Sequence, residues 1–102
     1  LTKLAKQGLR FDGIIAANDT LAMGAVKYAR TAGLKMPEDL SVIGYDNSLL
    51  TSTCEPELTS VDNKLETLCG HLIQTLMDVL NNVDSPKETI FTTELVKRGT
   101  TK

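Results

Sequence analysis

Asn18 and Asp46 each follow a short apolar run of strand length, and they are the residues of this sequence best placed to do chemistry. A carboxylate accepts hydrogen bonds from neighbouring hydroxyls, whereas an amide both donates and accepts. Together they suit a polyhydroxyl or heterocyclic ligand. The alternative is structural: Asp19 caps the following helix, and Asn18 and Asp46 fill turn positions that favour these residue types whatever the function.

The elements that would position these residues alternate between strand and helix. The run FDGIIAAN predicts a strand covered on both faces, TLAMGAVKYARTAG predicts a helix that stops at Gly33, and LSVIGYD predicts a second strand. This order is typical of a unit with parallel strands. Since ligands bind outside the carboxyl ends of such strands, we expect Asn18 and Asp46 at one edge of the sheet.

The second half of the chain begins with a loop that contains a short strand near LTSVD. A helix over 64–82 follows, with Asn63 as its cap and Glu66 completing a capping box. Its spacing gives one broad apolar face, formed by Leu65, Leu68, Cys69, Leu72, Ile73, Leu76 and Leu80. The segment ETIFTTELVKR predicts a closing strand, and GTTK a tail.

Composition and motifs exclude several classes of function. The chain has eleven Lys and Arg and thirteen Asp and Glu, with no basic stripe, so this segment is not expected to bind DNA. No apolar stretch approaches the about 20 residues of a membrane span. Cys54, Cys69 and His71 lack the spacing of a zinc site, and no nucleophile elbow, dinucleotide fingerprint or P-loop occurs. We therefore expect no catalysis, no cofactor and no metal.

Three segments, AANDTLAMGAVKYARTAGLKMPEDLSVIGYDNS, PELTSVDN and ELVKRGTTK, occur in this order along the chain. In sequence and spacing they resemble the C-terminal part of the lactose-repressor and galactose-repressor (LacI/GalR) family of bacterial transcription regulators. The resemblance implies an α/β fold, a parallel sheet with covering helices that is part of a periplasmic-binding-protein-like (type I) core of two subdomains. It also implies that Asn18 and Asp46 contact a small sugar-like or nucleobase-like effector between the subdomains. Asn63, where relatives often place a Gln near the effector, is a weaker candidate.

The same resemblance divides the chain between the two subdomains. Residues 1–62 would belong mainly to the C-terminal subdomain, 63–90 would form a helix and strand of the N-terminal subdomain, and 91–102 would form the return strand and tail. A helix-turn-helix headpiece that reads operator DNA, and the remainder of the N-terminal subdomain, would lie outside these residues. The apolar face of the helix over 64–82 would then lack its usual partner.

A dimer surface is the remaining prediction from the sequence. Most apolar residues of the helix after Asn18 share one face, whereas Met23 lies on the other side next to Lys27. In the family this helix and the loop after GYDN form the homodimer contact, so Met23, Lys27, Thr53 and Cys54 are the predicted interface residues. The alternative is an isolated exposed methionine, which is common.

The favoured interpretation is the effector-sensing and dimerisation part of a cytoplasmic transcription regulator. A periplasmic sugar-binding protein of a transporter shares the core but is secreted and monomeric, and an upstream signal peptide would identify it. A third interpretation is a phosphoacceptor receiver domain with Asp46 as the accepting carboxylate. That site also needs an acidic pair after its first strand and a lysine after its last, and neither arrangement is found.

Overall fold

A four-stranded sheet lies at the centre of the chain, which the computed structural model describes over all residues, 1–102. The strands are β1 (Gly13–Ile15), β2 (Ser41–Tyr45), β3 (Thr59–Asp62) and β4 (Glu94–Val96), in the spatial order β1-β2-β3-β4. The helices are α1 (Thr2–Lys6), α2 (Asp19–Ala32) and α3 (Leu65–Leu80), with a short 3-10 helix at Leu49–Ser52. The first three strands are parallel and β4 is antiparallel to β3, which confirms the predicted α/β fold with a mostly parallel sheet.

Helix α2 joins β1 to β2 and covers one face of the sheet. It ends at Gly33, whose φ of 70° lies in the left-handed region that glycine adopts without strain, as the sequence predicted. Small side chains on its inner face let the helix approach the strands closely. The buried apolar core comprises Ala22, Ala25, Val26, Ala29, Leu40, Val42, Cys54 and Leu58.

The other face of the sheet is open, so the prediction that β1 is covered on both faces is wrong for this chain. Ile15 is 83% exposed, and α1 buries none of its residues. A parallel sheet is covered on both faces only when several strand-helix units contribute helices to each side. This chain places α2 alone against the sheet.

The predicted tail GTTK is instead bound to the sheet through Thr100, which is fully buried. The Thr100 hydroxyl donates a hydrogen bond to the Val42 carbonyl (2.7 Å) and accepts one from the Thr59 amide (2.9 Å). The Val42 amide in turn donates to the Thr100 carbonyl (2.9 Å). These bonds connect β2 to β3 near their amino-terminal ends, at the opposite end of the strands from Asp46. The residues after β4 thus hold these two strands together.

Helix α3 extends away from the sheet and buries none of its residues. Its predicted apolar face is present and exposed, including Leu72, Ile73 and Leu76. The radius of gyration is 18.2 Å, against the about 13 Å of a compact domain of about 100 residues. Neither α3 nor any other helix is both long and apolar enough to cross a membrane.

The start of α3 differs from the predicted capping box. Lys64 occupies the cap position in the left-handed conformation (φ 52°), and no side chain caps the helix. The Lys64 amide donates to Asp62 Oδ1 instead (2.7 Å). The role of Asn63 as a cap is therefore wrong, because the chain turns one residue later and leaves the Asn63 side chain facing Asp46.

Candidate functional site

An open cleft lies where β2 and β3 end and α3 begins, and we call it the Asp46 cleft. Its volume is about 510 Å³. Six of its seven lining residues are polar or charged, and the full set is Asp46, Asn47, Asp62, Lys64, Leu65, Glu66 and Thr67. The arrangement places three carboxylates and one ammonium around a space that is large enough for a small polar molecule.

Asp46 lies at the carboxyl end of β2, where the sheet geometry places ligand contacts in α/β folds. Its φ is 98°, a conformation that non-glycine residues rarely adopt. The backbone amide donates to the Val61 carbonyl (2.9 Å), which keeps the turn against β3. Within the chain its carboxylate accepts a single hydrogen bond, so Oδ2 remains free to accept from a ligand.

That single bond comes from Asn63, so the structure brings Asp46 and Asn63 together, as the prediction of a shared site requires. Asn63 Nδ2 donates to Asp46 Oδ1 (3.1 Å). Asn63 Oδ1 is buried without a hydrogen-bond partner, which is unusual for a buried acceptor.

Asn18 lies apart from the Asp46 cleft, at the N-terminus of α2. Its Oδ1 accepts a hydrogen bond from the Leu21 amide (2.8 Å), so Asn18 rather than Asp19 is the helix cap. The cap uses only the oxygen. Its Nδ2 makes no hydrogen bond within the chain and remains available as a donor at the same edge of the sheet.

Asp19 is a structural residue of the site, for which the sequence offered a capping role only as the structural alternative. It is 1% exposed, and its Oδ2 accepts hydrogen bonds from the Ser48 amide (2.7 Å) and hydroxyl (2.8 Å). Its Oδ1 accepts from the Ser60 hydroxyl (2.6 Å). A Cβ at Gly44 would collide with this oxygen, and Gly44 was the one sequence signal for the contact. The carboxylate holds the loop after β2 against β3.

Arg98 and Asn47 form a second anchor for this loop, and the sequence assigned no role to either. Arg98 Nη2 donates to Asn47 Oδ1 (2.7 Å), and Nη1 donates to the Leu58 carbonyl (2.9 Å). Asn47 Nδ2 donates to Asp62 Oδ2 at the end of β3 (3.3 Å). The residue next to Asp46 is thereby connected to the segment that leaves the sheet.

The predicted dimer residues fall into two groups. Lys27 and Thr53 are exposed. Met23 is half-buried and packs against the core, so the expectation that it projects from the polar side of α2 is wrong. The loop after the 3-10 helix is bound to the same helix, because Arg30 Nη2 donates to the Glu55 carbonyl. Cys54 is 7% exposed, and burial raises the pKa of its thiol.

The cysteines and acidic residues form no further site. Cys54 and Cys69 are both free thiols. No group of three His, Cys, Asp or Glu side chains is arranged to hold a metal ion.

Comparison with known proteins gives a family match and a match to a transcriptional regulator. The family model of the periplasmic binding protein-like domain matches residues 2–101. The chain is 50% identical over 101 residues to an HTH-type transcriptional regulator of Lachnoclostridium phytofermentans, an alignment that covers 99% of this chain and 30% of that protein.

Solved structures agree with the sequence matches. The Lac repressor dimer bound to operator and the anti-inducer ONPF superposes with a TM-score of 0.90 at 27% identity, over 97% of this chain and 35% of that one. The transcriptional regulator CelR in complex with cellobiose superposes with a TM-score of 0.80 at 30% identity, over 87% and 28%. The chain thus spans about a third of the length of the proteins it matches.

Proposed function

The chain belongs to the periplasmic binding protein-like domain family, its relatives are LacI-type transcriptional regulators, and from this premise we propose that it is the effector-sensing part of such a regulator. The matched relatives are HTH-type regulators, which favours this function over a transporter component and over a receiver domain. The predicted resemblance to the LacI/GalR family is confirmed.

The Asp46 cleft carries the proposal for the effector. A free carboxylate oxygen at a strand end accepts hydrogen bonds from vicinal hydroxyls, and such charge-assisted bonds are stronger than neutral ones. Asn18 Nδ2 supplies a hydrogen-bond donor at the same edge of the sheet, and Asn63 orients the Asp46 carboxylate through its hydrogen bond. A relative of the same fold binds cellobiose, which supports a neutral sugar as the effector over a nucleobase-like one.

The regulatory step that we propose is a population shift between two arrangements of the cleft. The effector would bind better to the arrangement in which the N-terminal subdomain closes over Asp46, and the segment 62–65 between β3 and α3 would adjust. Operator DNA would be bound through a helix-turn-helix headpiece elsewhere in the cytoplasmic regulator. The sensing part itself binds and does no catalysis.

A homodimer is the second part of the proposal. The exposed side of α2 at Lys27 and the neighbouring loop at Thr53 would form the two-fold contact. Met23, which is half-buried against the core, would lie below the border of this contact. Cys54 leaves little surface for a partner because it belongs to the core. The Lac repressor to which the chain is similar is a dimer.

The effector site is tested by calorimetric titration of the full-length regulator with cellobiose, maltose and, as the nucleobase-like class, cytidine. Asp46→Ala should lower the affinity for the sugar that binds by about tenfold to a hundredfold, because one or more hydrogen bonds to a charged group are lost. Asp84→Ala removes an exposed carboxylate outside the cleft and should have no effect. Unchanged affinity in Asp46→Ala would remove this residue from the site, and binding of cytidine alone would overturn the sugar assignment.

The dimer is tested by sedimentation velocity on full-length Thr53→Arg. A two-fold contact uses the same patch twice, so one bulky charged side chain is introduced into both halves. We expect a folded monomer at concentrations where the parent is a dimer. A variant that remains dimeric would exclude this loop from the interface.

A further inference from the structure

The turn after β2 contains two consecutive residues with positive φ. Asp46 and the next residue, Asn47, have φ angles of 98° and 48°. Positive φ values are uncommon outside glycine, although Asn and Asp adopt them more readily than other residues, and two in succession depend on surrounding contacts to fix them. The position of the Asp46 carboxylate therefore depends on whatever restrains these two residues.

Arg98 provides a restraint that is itself rigidly placed. Its backbone amide donates to Thr59 Oγ1 (2.8 Å), and its guanidinium Nη1 donates to the Leu58 carbonyl, so the first residue of β3 and the residue before it fix both ends of Arg98. The remaining branch of the planar fork, Nη2, donates to Asn47 Oδ1. A guanidinium that is fixed by one bond loses little entropy in making the next, which strengthens its hold on Asn47.

Asn47 extends this restraint to the start of α3. Its Nδ2 donates to Asp62 Oδ2, and Asp62 Oδ1 accepts from the Lys64 amide immediately before the helix. Arg98, Asn47 and Asp62 thus form one continuous line of hydrogen bonds. It runs from the residues after β4 to the point where the chain leaves the sheet.

We propose that Arg98 is a positioning residue of the effector site, which acts through Asn47 to hold Asp46 in place and to fix the turn to the segment before α3. The inference rests on the proposed function only in naming Asp46 as the effector contact. Arg98 is not a lining residue of the Asp46 cleft, and each of its Nη atoms donates a hydrogen bond to a protein oxygen. Its role is therefore to place another side chain rather than to bind the effector.

The test is hydrogen exchange, followed by mass spectrometry, in the full-length regulator without effector. In Arg98→Gln, peptides that cover residues 46–48 should exchange about tenfold faster, because a charge-assisted bond that restrains the turn is lost. Peptides from α2 should exchange at the parent rate. Glu57→Gln is the matched control: it removes the ion-pair partner of Arg98 Nε, 3.9 Å away, and leaves the two donors to Leu58 and Asn47 in place.

Asn47→Ala shows whether Arg98 acts through this residue. It should accelerate the same peptides, and the double variant should be no faster than the faster single one. Arg98→Lys, which keeps the charge and loses the planar fork, gives the same reading if Arg98→Gln fails to fold. Unchanged exchange at 46–48, additive effects, or uniform acceleration that includes α2 would each overturn the proposal.

Failure of the proposed function gives a different result. If Asp46→Ala leaves sugar affinity unchanged while the turn loosens in Arg98→Gln, the effector assignment is wrong and the restraint of the turn stands. If Asp46→Ala loses affinity and the turn is unaffected in Arg98→Gln, only the positioning role is overturned.

Discussion

Helices α2 and α3 are of similar length, 14 and 16 residues, and both carry an apolar face, yet only one of them is buried. Five residues of α2 are buried against the sheet and its loops, whereas α3 has none. The exposed face is the one with the larger side chains, such as Leu72, Ile73 and Leu76. An apolar face thus predicts that a helix has a partner, but it does not say where along the protein that partner lies.

The apolar residues of α3 form a contiguous exposed surface on this chain. Contiguous apolar patches of this kind mark surfaces that other protein covers. Under the proposed function, the N-terminal subdomain of the regulator covers it. Each of the following predictions contrasts a residue of the buried half of the chain with its counterpart on α3.

The two cysteines should show the largest contrast, because Cys54 lies in the core and Cys69 is exposed on α3. With a thiol-reactive dye at neutral pH, Cys69 should react on the order of a thousandfold faster, since Cys54 is reached only after the core opens. The measurement is labelling of the single variants Cys54→Ser and Cys69→Ser, with the urea-unfolded chains as the reference. Equal rates in the folded chains would show that the core is not closed.

The pH dependence of stability follows from the same burial. The pKa of Cys54 is raised in the folded chain by desolvation, so its protonated thiol contributes stability that is fully present below the ordinary thiol pKa of about 8.5. That contribution is lost as the pH rises above this value, because the unfolded thiol ionises first. Replacement of Cys54 by Ala should flatten this alkaline loss.

Replacing a leucine by alanine should lower the free energy of unfolding by a few kcal/mol more in the buried half of the chain than on α3. Leu58 is 0% exposed, so Leu58→Ala should destabilise the chain by about 2 to 5 kcal/mol through lost burial and a cavity. Leu76 is 57% exposed, and Leu76→Ala should change stability by no more than about 0.5 kcal/mol. Urea unfolding measures both. A large loss at Leu76 would mean that α3 folds back onto the sheet in solution.

Two glycines should respond to alanine in opposite directions, which is the smallest of the expected effects. At Gly44 the added methyl collides with the Asp19 carboxylate, so the variant should lose about 1 to 3 kcal/mol. At Gly70, inside α3, the methyl meets nothing within 4 Å, and helix propensity should favour alanine by about 1 kcal/mol. Circular dichroism would show a higher helical content for Gly70→Ala. A stabilising Gly44→Ala would contradict the close approach of Asp19.

Local patterns were enough to predict the elements that depend on neighbouring residues. The apolar periodicity of α2, its end at Gly33 and the β-branched run of β2 all follow from interactions within a few positions. Two of the three predicted site residues, Asp46 and Asn63, lie together because β2 and β3 run parallel and end side by side.

The remainder depends on residues far apart in the chain, which a local pattern does not reveal. Asp19 is buried against Ser48, Ser60 and Gly44, which lie 25 or more positions away, and one sequence position alone does not distinguish it from a cap. Arg98 reaches Asn47 from 51 positions away. The cap at α3 was misjudged because Asn63, a good capping residue, is drawn to the Asp46 carboxylate.

The bond between Thr100 and Val42, which are 58 positions apart, constrains the order in which the protein can fold during its synthesis. At a translation rate of about 5 to 20 residues per second, roughly 3 to 12 seconds separate the synthesis of these two residues. Until then the Val42 carbonyl and the Thr59 amide lack their shared partner. The sheet therefore cannot be completed before Thr100 has been synthesised, and during this interval a nascent-chain chaperone has time to compete for its apolar strands.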